Sequence, residues 1–270
     1  MTLVALTRAV SPSLANCELT HLERVEIDIA RARAQHAAYE DVLRTSGVHV
    51  EHVAAAPDAP DAVFIEDIAI VLDELAVLTL PGATSRREER PGVERALATY
   101  RAIERLESPA TLDGGDVLRV GRVLYVGRSG RSNDEGRAQL QRAVERFGYD
   151  VVGVDFSGCL HLKSAATLLG DRLLLVNPNW VSIDAFVGCA ALDVDPLEPH
   201  SANVLRVGDT VIASAQYPRT NARIADLGIQ LAPVDTTELA KAEGAVTCCS
   251  LVLDGTPVHY PGAGNSDQGG

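Results

Sequence analysis

An α/β ring built from five strand–strand–helix–strand repeats is the fold class this sequence predicts. Three observations carry it. Paired apolar runs flank a two-residue turn five times, helical segments separate the pairs, and the parts missing from the last repeat stand near the start of the chain. Two short apolar runs around a two-residue turn are a hairpin signature. The turns begin at 73, 121, 170, 208 and 254, so their spacings are 48, 49, 38 and 46 residues.

In chain order, Leu22–Ser46 reads as a long amphipathic helix and Val48–Val53 as a strand. The first hairpin pairs Ile68–Leu72 with Leu75–Leu80 around Asp73-Glu74, the weakest of the turn pairs. Ser85–Arg105 follows as a helix, with Val93, Ala96, Leu97 and Ile103 apolar among many charges. The second hairpin is Val117–Val120 and Val123–Val126 around Gly121-Arg122. Asn133–Phe147 is helical because Leu140, Val144 and Phe147 recur at helical spacing, and Val151–Val154 is its returning strand. The third hairpin is Ala165–Leu169 and Arg172–Val176 around Gly170-Asp171. The fourth is Val204–Val207 and Thr210–Ala213 around Gly208-Asp209, with a short helix Pro218–Leu227 and a strand Ile229–Val234 after it. The fifth is Leu251–Leu253 and Thr256–His259 around Asp254-Gly255, the most typical turn pair because Gly tolerates positive φ. The link of 38 residues has the least room for a helix.

The fifth repeat runs out of chain after His259. Leu22–Ser46 and Val48–Val53 would supply its helix and returning strand, so circular closure is the economical solution. A ring leaves no exposed core at its ends and needs no capping unit. The competing architecture is a single α/β sheet with many hairpins. Residues 1–260 read as one catalytic domain and 261–270 as a flexible tail of small polar residues.

Composition narrows the function. With 24 Lys and Arg against 37 Asp and Glu in 270 residues, the net charge is −13. Hydrophobic residues make up 46%, enough for a real core, so the chain is not a disordered acidic polymer. Aromatics are only 4%, which leaves the core to Val, Leu, Ile and Ala. An acidic chain poor in rings is unsuited to nucleic acid, which needs clustered cations and stacking platforms. No apolar run approaches a membrane span, and Met1–Val10 is too short in its apolar run for a signal peptide. The five cysteines, Cys17, Cys159, Cys189, Cys248 and Cys249, are odd in number and lack C-x-x-C spacing, which argues for reduced thiols in a cytoplasmic protein.

The chemistry-bearing residues share one phase of the repeat. Asp67 precedes the first hairpin, Asp113-Gly114-Gly115-Asp116 the second, His161 the third, Asn203 the fourth, and Cys248-Cys249 the fifth. In a ring, equivalent positions converge at one end of the axis. Cys is a good nucleophile toward an electron-poor trigonal carbon, His can move protons, and carboxylates match a guanidinium through paired hydrogen bonds. Neighbouring strand residues point to opposite faces, so at most one of Cys248 and Cys249 faces the site. Each motif alone has an ordinary structural reading as a turn, a strand end or a core residue. Their shared phase is what points to a site. A zinc site on Cys159-x-His161 lacks further ligands at suitable spacing.

Phe64-Ile65-Glu66-Asp67-Ile68-Ala69, Pro81-Gly82-Ala83-Thr84-Ser85-Arg86-Arg87-Glu88, Leu112-Asp113-Gly114-Gly115-Asp116, Gly158-Cys159-Leu160-His161-Leu162-Lys163-Ser164 and Thr247-Cys248-Cys249-Ser250 occur in one order along the chain. This set resembles the dimethylarginine dimethylaminohydrolase family, a branch of the guanidino-group-modifying enzymes, from about Thr7 to Leu253. The resemblance implies a five-bladed α/β propeller, or pentein. It implies Cys248 as nucleophile, His161 as general acid/base and Asp113 as the acid that orients it. It further implies Leu19, Asp61, Glu66, Asp67, Arg86, Arg131, Asp116 and Ala242 at the substrate. Asp67, with Asp116 or Glu66, would hold the guanidinium, and Arg86 and Arg131 the substrate α-carboxylate. Leu19 would sit on a loop that closes over the ligand, and Ala242 stands where relatives carry a larger apolar residue. The expected partner is a methylated arginine, with no metal, organic cofactor, nucleic acid or membrane, and a homodimer is compatible with the sequence. Two other readings stay open: a sibling arginine deiminase or amidinotransferase, and a propeller that only binds a partner.

Overall fold

The computed structural model describes residues 2–257. The chain begins with β1 (Leu3–Thr7), α1 (Ile29–Thr45) and β2 (Val48–His52). The first complete blade is β3 (Ala69–Val71), β4 (Leu75–Leu78), α2 (Arg90–Leu97) and β5 (Ala102–Arg105). The second is β6 (Val117–Val120), β7 (Val123–Gly127), α3 (Asp134–Val144) and β8 (Asp150–Val154). The third opens on a single helical turn, α4 (Leu162–Ala165), and continues with β9 (Ala166–Leu168), β10 (Leu173–Val176) and β11 (Ala190–Asp193). The fourth is β12 (Val204–Val207), β13 (Thr210–Ser214), α5 (Pro218–Asp226) and β14 (Gln230–Val234), and α6 (Thr237–Ala240) and β15 (Leu251–Asp254) follow.

Every sheet has three strands, with the middle one antiparallel to the first and parallel to the third. The fifth sheet obeys the same rule in the order β15–β1–β2, so one blade is shared by the two ends of the described chain. Its register sets Leu3 against Asp254 and Leu6 against Leu251.

Packing closes the ring. Five clusters of buried apolar residues each lie between two neighbouring blades. Alternate residues of one strand enter different clusters, because successive side chains point to opposite faces. In β4, Leu75 and Val77 pack toward the second blade while Ala76 and Leu78 pack toward the fifth. In β1, Val4 and Leu6 face the first blade while Ala5 faces the fourth. A middle strand covered on both faces must be apolar throughout, which is why these runs do not alternate with polar residues. The ring, and not the single sheet, is the observed architecture.

Three expectations are corrected. The second strand of the fifth hairpin is β1, not Thr256–His259: Thr256 and Pro257 are not in a strand, and residues 258–259 lie outside the described residues, as does the expected tail 261–270. The Gly255 N–H bonds to the carbonyl of Thr2 at 2.9 Å, so the Asp254-Gly255 pair meets the other end of the chain. The helix expected over Leu22–Ser46 starts only at Ile29, where the Asp28 side chain accepts the Arg31 N–H at 3.0 Å and caps it. The helix expected over Ser85–Arg105 is a 3-10 stretch, Thr84–Glu89, then α2, and Ile103 belongs to β5. The 38-residue link carries only a 3-10 turn, Ile183–Ala185, before β11. No helix among the described residues is long and apolar enough to cross a membrane.

Candidate active site

At one end of the ring the first strands are preceded by tight 3-10 turns, Ile65–Ile68, Gly114–Asp116 and Thr247–Cys249, which bring Asp67, Asp116 and Cys248 inward. The cavity there is lined by Glu18, Asp61, Phe64, Asp67, Arg86, Arg131, Leu160, His161, Ala242, Glu243 and Cys248. Of the residues expected at the site, it brings together Cys248, His161, Asp61, Asp67, Arg86, Arg131 and Ala242. Its free volume is about 20 Å³. That suffices for roughly one water and not for an amino acid, so the cavity is too narrow for substrate in this conformation.

His161 is 5% exposed and stands between two carboxylates. Its Nε2 lies 3.1 Å from Asp113 Oδ2, and its Nδ1 lies 3.7 Å from Asp67 Oδ1. Asp113 is fixed in turn by the Gly82 N–H, which donates to its Oδ1 at 2.8 Å. Asp67 Oδ1 accepts the Gly115 N–H at 3.0 Å. A Cβ at Gly115 would fall 2.5 Å from the His161 ring and 2.7 Å from Asp67, so Gly115 permits this close approach. The Asp113-Gly114-Gly115-Asp116 motif is therefore more than a turn. Among the described residues, donor atoms of Asp67, Asp113 and His161 lie within 4.8 Å of one another, a cluster that suits a cationic imidazole as well as an ion.

The electrostatics separate the proton donor from the nucleophile. Burial opposes a charged His161, but Asp67, the hydrogen bond with Asp113, and Asp116 outweigh it and raise its pKa to about 9. Burial first, then Glu66 and Asp67, push the Cys248 thiol up to about 12. At neutral pH the resting pair is thus an imidazolium and a thiol. Burial also raises Asp61 to about 6, against the opposing pull of Arg86. Cys249 points away: its Sγ contacts the Ala245 carbonyl at 3.4 Å, and burial raises its pKa well above the ordinary thiol value.

Five expected residues are engaged by other parts of the protein. Asp116 does not line the cavity: its Oδ2 accepts the Ser129 and Ser132 hydroxyls at 2.5 and 2.6 Å, and its Oδ1 the Leu162 N–H at 3.1 Å. Glu66 lies behind the nucleophile, accepting Lys163 Nζ at 2.6 Å and the Thr247 hydroxyl at 2.8 Å. Leu19 is absent from the lining and packs on an apolar cluster, while its neighbour Glu18 takes the lining position. Arg86 is occupied by protein acceptors: it donates to Asp67 at 2.5 Å, to both oxygens of Glu89, and to the Asp61 and Phe64 carbonyls. Arg131 reaches the Thr20 hydroxyl at 3.1 Å and has an Nη 4.0 Å from Asp113. Sequence reasoning missed Glu18, Phe64, Leu160 and Glu243, although each adjoins or nearly adjoins a residue it singled out.

A five-bladed α/β propeller that gathers Cys, His and carboxylates around one axial cavity is the arrangement of the guanidino-group-modifying enzymes. Comparison with known proteins narrows the class. The family model for N,N dimethylarginine dimethylhydrolase, eukaryotic, matches residues 16–185. The N(G),N(G)-dimethylarginine dimethylaminohydrolase of Streptomyces coelicolor is 41% identical over 250 residues, covering 92% of this chain and 96% of that protein. The structure of the Pseudomonas aeruginosa enzyme, a cysteine-to-serine mutant complexed with citrulline, superposes with a TM-score of 0.89 at 34% identity, over 94% of this chain and 100% of that one. The N-terminal domain of ArgZ, a cyanobacterial arginine dihydrolase, shares the fold at a TM-score of 0.83 but only 20% identity. The chain belongs to the dimethylarginine dimethylaminohydrolase family.

Proposed function

We infer that the protein hydrolyses Nω-methylated arginine to citrulline and the corresponding methylamine through a covalent cysteine adduct. The observation that carries this reading is the buried ring of His161, held between Asp113 and Asp67, on the same cavity as the Cys248 thiol. It is supported by the relatives' stated activity and by the citrulline complex of the Pseudomonas aeruginosa enzyme.

The substrate guanidinium replaces Arg86 on Asp67 Oδ2. Its positive charge favours the Cys248 thiolate, and the thiol proton leaves to solvent. The thiolate attacks the guanidinium carbon, His161 protonates the departing amine, and a thiouronium remains on Sγ. His161, now neutral, takes a proton from water; the resulting hydroxide adds to the thiouronium carbon, and the adduct collapses to citrulline while its hydroxyl proton returns to sulfur, restoring the Cys248 thiol. Asp113 holds the ring and stabilises its charged form, as the acid of a hydrolytic triad does. Arg131 and Asp61 flank the end of the cavity beneath residues 18–20 and are assigned to the amino-acid end of the substrate. Glu66 supports this site from behind through Thr247, and Leu19 belongs to the loop that covers it.

The reading extends to residues 1–260 as one catalytic domain, in a cytoplasmic enzyme acting on a small molecule without nucleic acid or membrane. The free state of all five cysteines supports a reducing compartment. A homodimer is compatible with this reading. Incubation with asymmetric dimethylarginine should yield citrulline and dimethylamine in equal amounts. Folded protein that yields neither overturns the assignment, and ammonia released from unmethylated arginine would move it to the arginine deiminase branch.

A further inference from the structure

The loop over the cavity is held in an unusual way. Between residues 18 and 27, among the described residues, no backbone N–H bonds to a backbone carbonyl. The N–H groups that are paired there end on carboxylates instead. Glu18 donates to Asp61 at 3.1 Å, and Thr20, His21 and Leu22 all donate to Glu243, at 3.0, 2.5 and 2.7 Å. One carboxylate thus gathers three successive amides, in the way a backbone nest gathers an anion.

Glu243 stands on a firm base. Its own N–H bonds to the Ala240 carbonyl at 3.1 Å, and Gly244 packs so tightly on the Phe64 ring that a Cβ there would lie 2.1 Å away. It is also the one non-glycine residue with positive φ among the described residues, at 57°. A left-handed Glu is disfavoured by its Cβ, so the chain keeps a strained residue where glycine would be easier. Glu243 lines the narrow catalytic cavity on one side and a larger cavity of about 210 Å³ on the other.

From this we infer that Glu243 is a positioning residue that latches residues 20–22 over the catalytic cavity, and that substrate gains access by releasing these three amides together. The small free volume of the cavity requires that its walls move to admit an amino acid. Residues 20–26 are exposed and outside any helix or strand, so little else resists their movement. The remaining ties include Arg131 on Thr20, Ser85 on Glu18, Arg24 on the Ala15 and Cys17 carbonyls, and Lys241 on the Glu26 carbonyl.

Two variants test the latch. Glu243→Gln keeps the shape but loses the charge. Glu243→Gly loses the carboxylate while relieving the left-handed backbone, so it should fold at least as well as the parent. Amide hydrogen exchange at Thr20, His21 and Leu22 should accelerate at least about tenfold in both, since charge-assisted hydrogen bonds are the strong ones. Alkylation of Cys248 by iodoacetamide should accelerate in parallel. With dimethylarginine the loss should fall on KM, about tenfold, rather than on kcat. Unchanged exchange in variants with the parental melting temperature overturns the latch. Faster exchange without faster alkylation and without a change in KM also overturns it, because the loop would then be held without governing access. Only the KM measurement rests on the proposed function: a parent inactive on dimethylarginine would refute that function, while exchange and alkylation would still decide the latch.

Discussion

The inner turns of the first and second blades carry acids at matching points, Asp67 and Asp116, each in a 3-10 turn ahead of its first strand. Both are buried, yet only Asp67 faces the cavity. Asp116 spends its oxygens on two serine hydroxyls and one backbone N–H, all within the body of the ring. The fourth blade repeats the lesson. Asn203 bonds to Lys163 and Thr247 and braces the turn that carries Cys248. The repeat decides where a side chain converges, and its hydrogen-bond partners decide whether it faces the cavity or the body of the ring.

That distinction is open to attack at each position. The largest effect belongs to the nucleophile: Cys248→Ser should lower citrulline formation more than about a thousandfold, while Cys249→Ser retains most of it. The reverse result would exchange the two roles. Next is Asp67→Asn, with turnover down about a hundredfold or more, because the guanidinium contact and one His161 partner lose their charge. The variant also leaves Arg86 with fewer charged partners, so a melting curve must accompany the assay. If Asp116→Asn proves equally damaging to kcat at equal stability, the separation of the two acids fails.

His161 adds a pH test. Its pKa is raised from an ordinary 6.5 to about 9, so its charged form stabilises the fold. That stabilisation is complete below about pH 6.5 and is lost as pH rises through about 9. Urea midpoints of the parent should therefore fall between pH 6.5 and 9, by at most about 3 kcal/mol in stability, and His161→Gln should flatten this dependence. Smaller still, Asp116→Asn should cost about 1–3 kcal/mol of stability with a milder effect on turnover. Asn203→Ala should cost about 1 kcal/mol, read as a small drop in melting temperature.

Much of the fold could be read from the sequence because each hairpin is a local signal. Val117–Val126 carries its own turn and its own pairing partner. The fifth blade could not be read that way, since Leu251–Asp254 pairs with Leu3–Thr7 from the far end of the chain and local turn chemistry is blind to that partner. The overlong helix at Ser85–Arg105 fails for a related reason. Apolar spacing alone cannot show that Ile103 has left helix α2 to pair with Ala76. At the site, residue types and phase pointed to Asp67, the Asp113–Asp116 motif, His161 and one of Cys248 and Cys249, and the family resemblance then implied Cys248 and Asp113. The partners that withdraw Asp116 and Glu66 from the cavity, Ser129, Ser132, Lys163 and Thr247, depend on tertiary packing. So does the capture of Arg86 by Asp67 and Glu89.

The shared fifth blade has a consequence for the order in which the protein comes into being. Chains emerge from the ribosome N-terminus first, and early segments fold as they appear. A nascent chain released only as far as Ala240 can assemble four blades as an open arc. Its β1 still lacks the β15 partner, and Cys248 has not yet emerged. The histidine and its acids are then in place before the nucleophile can join them. The reactive thiol arrives with the segment that seals the circle, so closing the ring and arming the site are one event.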